Sequence, residues 1–331
     1  MEDFCKSNNI VYKSFFANNE LLNEWNKKGL IHRTIWHCAP SDNSFSLKDK
    51  NTYRNEIQNI LINRFDIKDI ELFKIKYKEA TSGDGQEWTR ITTLHSSSLI
   101  ALLCFYSISK NNPIKINGYL FDESYFEVKT QVYQDSESNM DVVLRGKDKS
   151  GQKVALFLEC KFSEYLSTGQ YKGISIDAYK NKYESLGLLN GASTINNVTF
   201  AERKDGLVIL PKDKIHIYCG GIKQMLSHYI GVSNYSNERS NALAEHQRFI
   251  ADTNERVLLG EILFDFGPKI TGKKFENYKS AYASLARIIN EKGRNGIEML
   301  EEILTYQDIL GDKNRTVIKE ENVRQFYKFE K

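Results

Sequence analysis

Proline is scarce. The 331 residues hold four, and no Ser/Gly/Pro-rich stretch marks a flexible linker, so nothing reads as domains strung on a tether. Long apolar runs are missing too. The longest, LIALLCFYSI, is about half of what a membrane-spanning helix needs and reads as a buried helix. The five cysteines (Cys5, Cys38, Cys104, Cys160 and Cys219) are odd in number and widely spaced. They fit reduced, buried thiols better than a disulfide framework or a zinc knuckle. His32 and His37 lie near Cys38, but no second close Cys/His pair completes a tetrahedral metal site. The GxxxxGK[ST] phosphate loop is absent, so any motor or methyltransferase would be a separate partner protein. Net charge is only +3. The chain as a whole therefore does not advertise a nucleic-acid partner, although a local basic face is not excluded. The opening MEDFCKSNNIVYKSFF lacks the basic start and apolar run of a secretory signal. The expectation is a soluble, cytoplasmic protein with no membrane partner.

What is present is ordinary globular material, 40% apolar and 27% charged, long enough for a large core. Helical spacing appears around Glu20 to Lys28 and Asn51 to Arg64, followed by a polar turn from Thr81 to Trp88. SSSLIALLCFYSI then predicts a serine-capped helix burying Leu99, Ile100, Leu103 and Phe105 or Tyr106. His95 just before it reads as part of that cap. From Tyr125 the period changes to alternation. YFEVKTQVY puts Phe126, Val128, Thr130 and Val132 on one face, with Glu127, Lys129 and Gln131 on the other. DVVLRG and KVALFLECKF follow as second and third strands, joined by the turn-forming KDKSG. Beyond Lys161, Tyr171 to Leu189 includes a candidate helix, and Gly187 to Leu207 looks loop-like. KIHIYCGG reads as a short strand or an entry segment, GIKQMLSHYIG as a short amphipathic helix, and ERVLLGEILFDFG as another strand. Helices over Glu276 to Ile289 and Gly296 to Ile309 close the chain. The expected fold class is α/β with a mixed sheet: helix, three strands, helix, strand, with added helices at both ends. The expected division is a helical extension over 1–90, a core over 91–270 carrying an inserted flap at about 163–214, and C-terminal helices over 271–331.

On the third strand Glu159 and Lys161 are two residues apart and share a face, while Leu158, Cys160 and Phe162 share the other. A glutamate and a lysine inside FLECKF require a reason. Asp141 opens the preceding strand, and folding the hairpin about Lys147 to Gly151 carries it toward Glu159, with Lys161 alongside. Two neighbouring carboxylates repel unless a proton or cation lies between them. A hard divalent ion such as Mg²⁺ suits one or two carboxylates plus waters. It can hold a phosphate oxygen and activate water, while the lysine holds the attacking water or meets developing negative charge.

MDVVLRG followed by LFLECKF resembles the restriction-endonuclease-like, PD-(D/E)xK nuclease superfamily, whose pattern is Pro-Asp, a spacer, Asp or Glu, any residue, Lys. Met140 stands where the pattern has proline, which removes no catalytic atom. The resemblance covers roughly residues 96–267. It implies Asp141 and Glu159 as metal ligands, the Cys160 backbone carbonyl completing the shell, and Lys161 as the catalytic lysine. It also implies Mg²⁺ as cofactor with Mn²⁺ able to substitute, DNA as the favoured polymer, and phosphodiester hydrolysis as the activity. Many members carry a supporting acid before the aspartate; Glu127 is the first choice and Glu123 the weaker. Gln224 matches the glutamine that some branches carry on the following helix. Tyr229 is one residue too far on for their tyrosine, and His228 lies one turn after Gln224. Double-strand cleavage from one site per chain would call for a homodimer.

Lys172, Lys180 and Lys182, interleaved with Tyr171, Tyr179 and Tyr183, make the segment after the catalytic strand a candidate substrate-binding flap. A surface helix with its tyrosines turned to the core has the same pattern. Glu164 is close enough to Lys161 to support it. Two other classes stay open: a non-catalytic binding or interaction protein on the same fold, and another α/β enzyme using Glu159 as general acid or base. In the blander reading Asp141 caps a turn and Glu159–Lys161 is a solvated strand face.

Overall fold

The computed structural model describes residues 15–16, 20–21, 24, 47–82, 91, 96–133, 136–166, 174–189, 195–204, 206–236, 254–293, 296–311 and 317–329. The expectations for Glu20 to Lys28 as a helix, for His32, His37, Cys38 and His95, and for Lys172 and Tyr171 fall wholly or mostly outside them.

Two helices, α1 (Leu47–Phe65) and α2 (Ile70–Ala80), lead into α3 (Ser97–Phe105). Asp69 caps α2 by accepting from the Leu72 N–H at 3.0 Å. Ser96 caps α3 through the Leu99 N–H at 3.0 Å, as the serine run predicts. Every residue of α3 from Leu99 to Phe105 is buried, so this helix is interior on all sides rather than amphipathic. Strands β1 (Ile114–Ile116), β2 (Tyr119–Tyr133), β3 (Ser136–Lys147) and β4 (Lys153–Lys161) follow as an antiparallel meander. The β3–β4 turn forms where KDKSG places it. Asp148 Oδ1 accepts from the N–H groups of Ser150 at 2.8 Å and Gln152 at 3.0 Å, and Gly151 supplies the positive φ of 87°.

Between β4 and the next core helix lies a smaller three-stranded sheet of β5 (Ile174–Ser175), β6 (Val198–Arg203) and β7 (Gly206–Pro211), with helix α4 (Lys180–Ser185). The loop expected from Gly187 to Leu207 therefore contains a strand and the start of another. Of the two expectations for KIHIYCGG, no strand forms and the segment is the entry to the next helix. Helix α5 (Cys219–Ser236) starts there, and rings of Tyr218 and Tyr278 press against Gly220 and Gly221.

Strand β8 (Arg256–Leu263) pairs parallel to β4, from Val154↔Arg256 to Lys161↔Leu263. Helices α6 (Pro268–Thr271) and α7 (Lys274–Lys292) come next. The helix expected from Gly296 to Ile309 is replaced by β9 (Ile297–Met299), β10 (Leu304–Thr305) and α8 (Tyr306–Leu310), and α9 (Glu321–Tyr327) follows. Both short strands pair parallel with β8. The open edge of β8 supplies hydrogen-bond partners that outweigh a helical pattern in the sequence.

The main sheet is thus mixed and seven-stranded, in the order β1-β2-β3-β4-β8-β10 with β9 also on β8. Helix α3 covers one face of β3 and β4, and α5 covers β2 and β3 on its own side. Covered on both faces, β4 is buried at every position after Lys153. Gly231 lets α5 lie close to β2, because a Cβ there would collide with Thr130 Oγ1. No helix long and apolar enough to cross a membrane occurs among the described residues.

Candidate active site

Three elements converge where β4 ends. The β3–β4 ladder stops at Val142↔Leu158, one step short of the position where Asp141 would face Glu159. Asp141 is therefore interior to β3, not its first residue as the sequence suggested. Its carboxylate takes over from the backbone: Oδ2 accepts the Cys160 N–H at 2.6 Å. The strands part at this point, with one carboxylate on each side of the opening.

Glu159 and Lys161 are 3% and 5% exposed, which removes the alternative of a solvated strand face. Lys161 Nζ donates to Glu159 Oε1. The other oxygen, Oε2, is 2.7 Å from His228 Nε2 on α5. His228 Nδ1 in turn lies 2.5 Å from Ser138 Oγ on β3. A ring with its proton on Nε2 donates to Glu159 and accepts from the Ser138 hydroxyl, so both nitrogens are satisfied. Glu159 is fixed from two directions by donors on two elements. Asp141 is the one member of the trio that is only partly buried, so solvent reaches the cluster at its side.

Charge is unevenly balanced here. Burial, and then the neighbouring Glu159, push the Asp141 carboxyl well above the usual range, with Lys161 and the Cys160 N–H opposing. Burial also works against the charge on Glu159, but Lys161 and His228 outweigh it and hold that carboxyl below the ordinary value. Burial likewise disfavours the Lys161 ammonium, yet Glu159 foremost keeps its proton bound more tightly than usual. Two further acids crowd the same end. Glu164, on the turn after β4, accepts from the Phe162 N–H at 2.7 Å. Glu261 on β8 is the ladder partner of Glu159. It is completely buried, and the Tyr278 hydroxyl lies 2.9 Å from each of its oxygens. Burial drives the Glu261 carboxyl up to about 8.

The structure brings together Asp141, Glu159, Lys161 and the Cys160 backbone. The Cys160 thiol points to the other face, where Cys104 and Tyr306 influence it, so only its peptide belongs to the site. Glu127 is buried, and its neighbours Phe126 and Val128 pair with Val142 and Met140 on either side of Asp141. Its own φ of 49° is left-handed, an unusual conformation for a non-glycine residue inside a strand. Glu123 is excluded from the site. It is exposed, and its carboxylate accepts from the Tyr125 hydroxyl at 2.8 Å. Gln224 does not tie α5 to Glu159; His228 does that. The Gln224 Oε1 is buried without a hydrogen-bond partner among the described residues. Tyr179 is no free stacking platform, since its hydroxyl meets Ser227 Oγ at 3.3 Å and its ring packs edge-on against Tyr183. Lys180 is ion-paired with Glu202 at 3.2 Å. Sequence reasoning missed Glu261 and Tyr278 as members of the cluster. The signal was available, because an acid inside VLLGEILF is as anomalous as one inside FLECKF.

Among the described residues no group of three or more His, Cys, Asp or Glu side chains is arranged as a metal cage. Asp141, Glu159 and the Cys160 peptide carbonyl are the groups that could hold a hard ion there, one that keeps its own waters. The chain matches no protein-family model, no curated protein and no solved structure.

Proposed function

We propose that the chain is a metal-dependent phosphodiester hydrolase acting on DNA, built on a restriction-endonuclease-like core. The observation that carries this reading is the parting of β3 and β4 at Asp141. It leaves one carboxylate on each strand and a buried, charged lysine beside them. The order α3, β2, β3, β4, α5, β8, with β8 parallel to β4, agrees with the helix, three strands, helix and strand of that core.

In this reading Asp141, Glu159 and the Cys160 carbonyl would hold Mg²⁺, with Mn²⁺ able to substitute. The bound ion supplies Lewis acidity toward a phosphate oxygen and lowers the pKa of its water. The chain's own groups do the rest. Lys161 keeps its proton because Glu159 stabilises the ammonium, so it presents positive charge where negative charge develops on phosphorus. His228 and Lys161 fix the Glu159 carboxylate, which limits its motion during the reaction. Glu159 is buried where His228 of α5 meets it, which leaves the partly buried Asp141 side for the phosphate.

The test is cleavage of supercoiled, linear and single-stranded DNA with Mg²⁺ or Mn²⁺ by wild type, Asp141→Ala and Lys161→Ala. Activity should vanish with chelator and in both variants, while the products separate internal from terminal cleavage. No cleavage of any form, together with no binding of a divalent ion, would overturn the reading in favour of a non-catalytic binding protein.

A further inference from the structure

A cleft of about 640 Å³ lies between the segment that follows β5, the C-terminal half of α5 and the end of β2. Its volume falls within the ~300–1,000 Å³ of small-molecule sites. Gln131, Tyr179, Asn181, Lys182, Ile230 and Asn234 form most of its wall. Its charges are unequally committed. Asp177 spends its oxygens within the inserted segment, accepting from the Leu207 N–H at 2.5 Å and the Ser175 hydroxyl at 3.1 Å. Lys180 is held by Glu202. Lys182 is half-buried, and its ammonium has no partner among the described residues. The amides differ as well. Asn234 donates through Nδ2 to the carbonyls of Gln131 and Val132, at 2.6 and 3.2 Å, which leaves Oδ1 as an acceptor. Asn181 is exposed, with both its donor and its acceptor available.

The cleft and the catalytic cluster share helix α5 but use different faces of it: His228 turns to Glu159, while Ser227, Ile230 and Asn234 turn to the cleft. Tyr179 touches Ser227, the residue before His228. Ile230 and Asn234 follow His228 on the same helix, about 3 and about 9 Å along its axis at 1.5 Å per residue.

We propose that this cleft is a nucleotide subsite: Lys182 receives a phosphate, and the Asn181 amide with Asn234 Oδ1 meets the edge of an unpaired base. Amides offer a donor and an acceptor side by side, which suits a base edge, and a single ammonium suits a single phosphate. The proposal rests on the nuclease reading of the Asp141–Glu159–Lys161 cluster for its preferred source of nucleotide, a single strand of DNA. A free mononucleotide presents the same chemistry.

The experiment uses full-length Asp141→Asn protein, in which cleavage is off, and measures binding of a short single-stranded deoxyoligonucleotide by fluorescence anisotropy across a salt series. The four deoxynucleoside monophosphates are the second probe. Lys182→Ala should reduce the slope of log K against log salt by about 0.7, the loss of one phosphate contact on a single strand. Lys182→Arg should restore that slope, and Asn181→Ala should weaken binding without changing it. Thermal melts of the variants separate a lost contact from lost folding. Lys182-dependent binding of the monophosphates, with oligonucleotide binding unaffected, keeps the nucleotide subsite but assigns it to a free ligand. Slope and affinity unchanged in Lys182→Ala and Asn181→Ala for both probes overturn the subsite while leaving the nuclease reading intact. Binding that depends on Lys182, in a protein whose wild type cleaves nothing, overturns the nuclease reading alone. No binding of either probe overturns the subsite.

Discussion

Replacing Glu261 by glutamine should make the metal-free protein less sensitive to alkali. Glu261 is fully buried, faces Glu159 across the parallel ladder and receives the Tyr278 hydroxyl. Burial first, with Glu159 adding, raises its carboxyl from 4.5 to about 8. Between those two values the folded chain holds a proton that the unfolded chain has released. Stability therefore falls as pH rises through this window, by about 1.4 kcal/mol per pH unit. Across the whole window the loss is about 5 kcal/mol. This contribution is fully present below pH 4.5 and gone above about pH 8. Glutamine stays neutral throughout and keeps an acceptor for Tyr278. Urea unfolding in the presence of chelator, at matched pH values from about 5 to about 8, reads the difference directly if the m-value is unchanged. Over that range the advantage of Glu261→Gln over wild type should grow with pH by about 3.5 kcal/mol. Parallel stability curves for the two proteins would refute the reasoning, since they would show that Glu261 ionises alike in the folded and unfolded chains.

Mg²⁺ at roughly a hundred times its Kd should stabilise the wild type by about 2.7 kcal/mol through mass action. Asp141→Ala should gain little, and an equal gain in both proteins, read by thermal melting, would place the ion elsewhere. His228→Ala removes the donor to Glu159 Oε2 and the partner of the Ser138 hydroxyl, at a cost of about 1–3 kcal/mol in stability. It should also raise the Mg²⁺ concentration needed for half-maximal cleavage, and His228→Gln should recover part of that shift. A purely structural histidine would lower stability and leave the metal dependence unchanged.

The parts of the fold that were legible in the sequence are those whose signals are local. KDKSG fixed the hairpin because Asp148 and Gly151 impose a turn whatever surrounds them. Ser96 marked the start of α3, and alternation marked the strands on either side of the turn. The charged pair Glu159–Lys161 stood out because its neighbours are apolar. What was not legible depends on pairing. Asp141 looked like the start of a strand because SESN is polar, yet the partner β2 extends it from Ser136. Ile297 to Met299 and Leu304 to Thr305 are too short to show a period of their own. They are strands because β8 has an edge to share. Glu261 could be recognised only once β8 was known to lie beside β4, which carries it next to Glu159.

The cluster also bears on whether its polar groups serve packing or chemistry. Asp141, Glu159, Glu164 and Glu261 crowd one end of β4 and β8 against a single lysine. Buried charge is costly, and apolar residues of similar volume would usually pack at least as stably. A scaffold that needed only stability would gain nothing from raising the carboxyls of Asp141 and Glu261. The proposed cation, entering at the partly buried Asp141, would take the place of the proton that the raised Asp141 carboxyl otherwise holds. The cluster's position agrees, since open α/β sheets bind ligands beyond the carboxyl ends of their parallel strands. Here β4 and β8 run parallel, and the parting of β3 from β4 opens the sheet at that end.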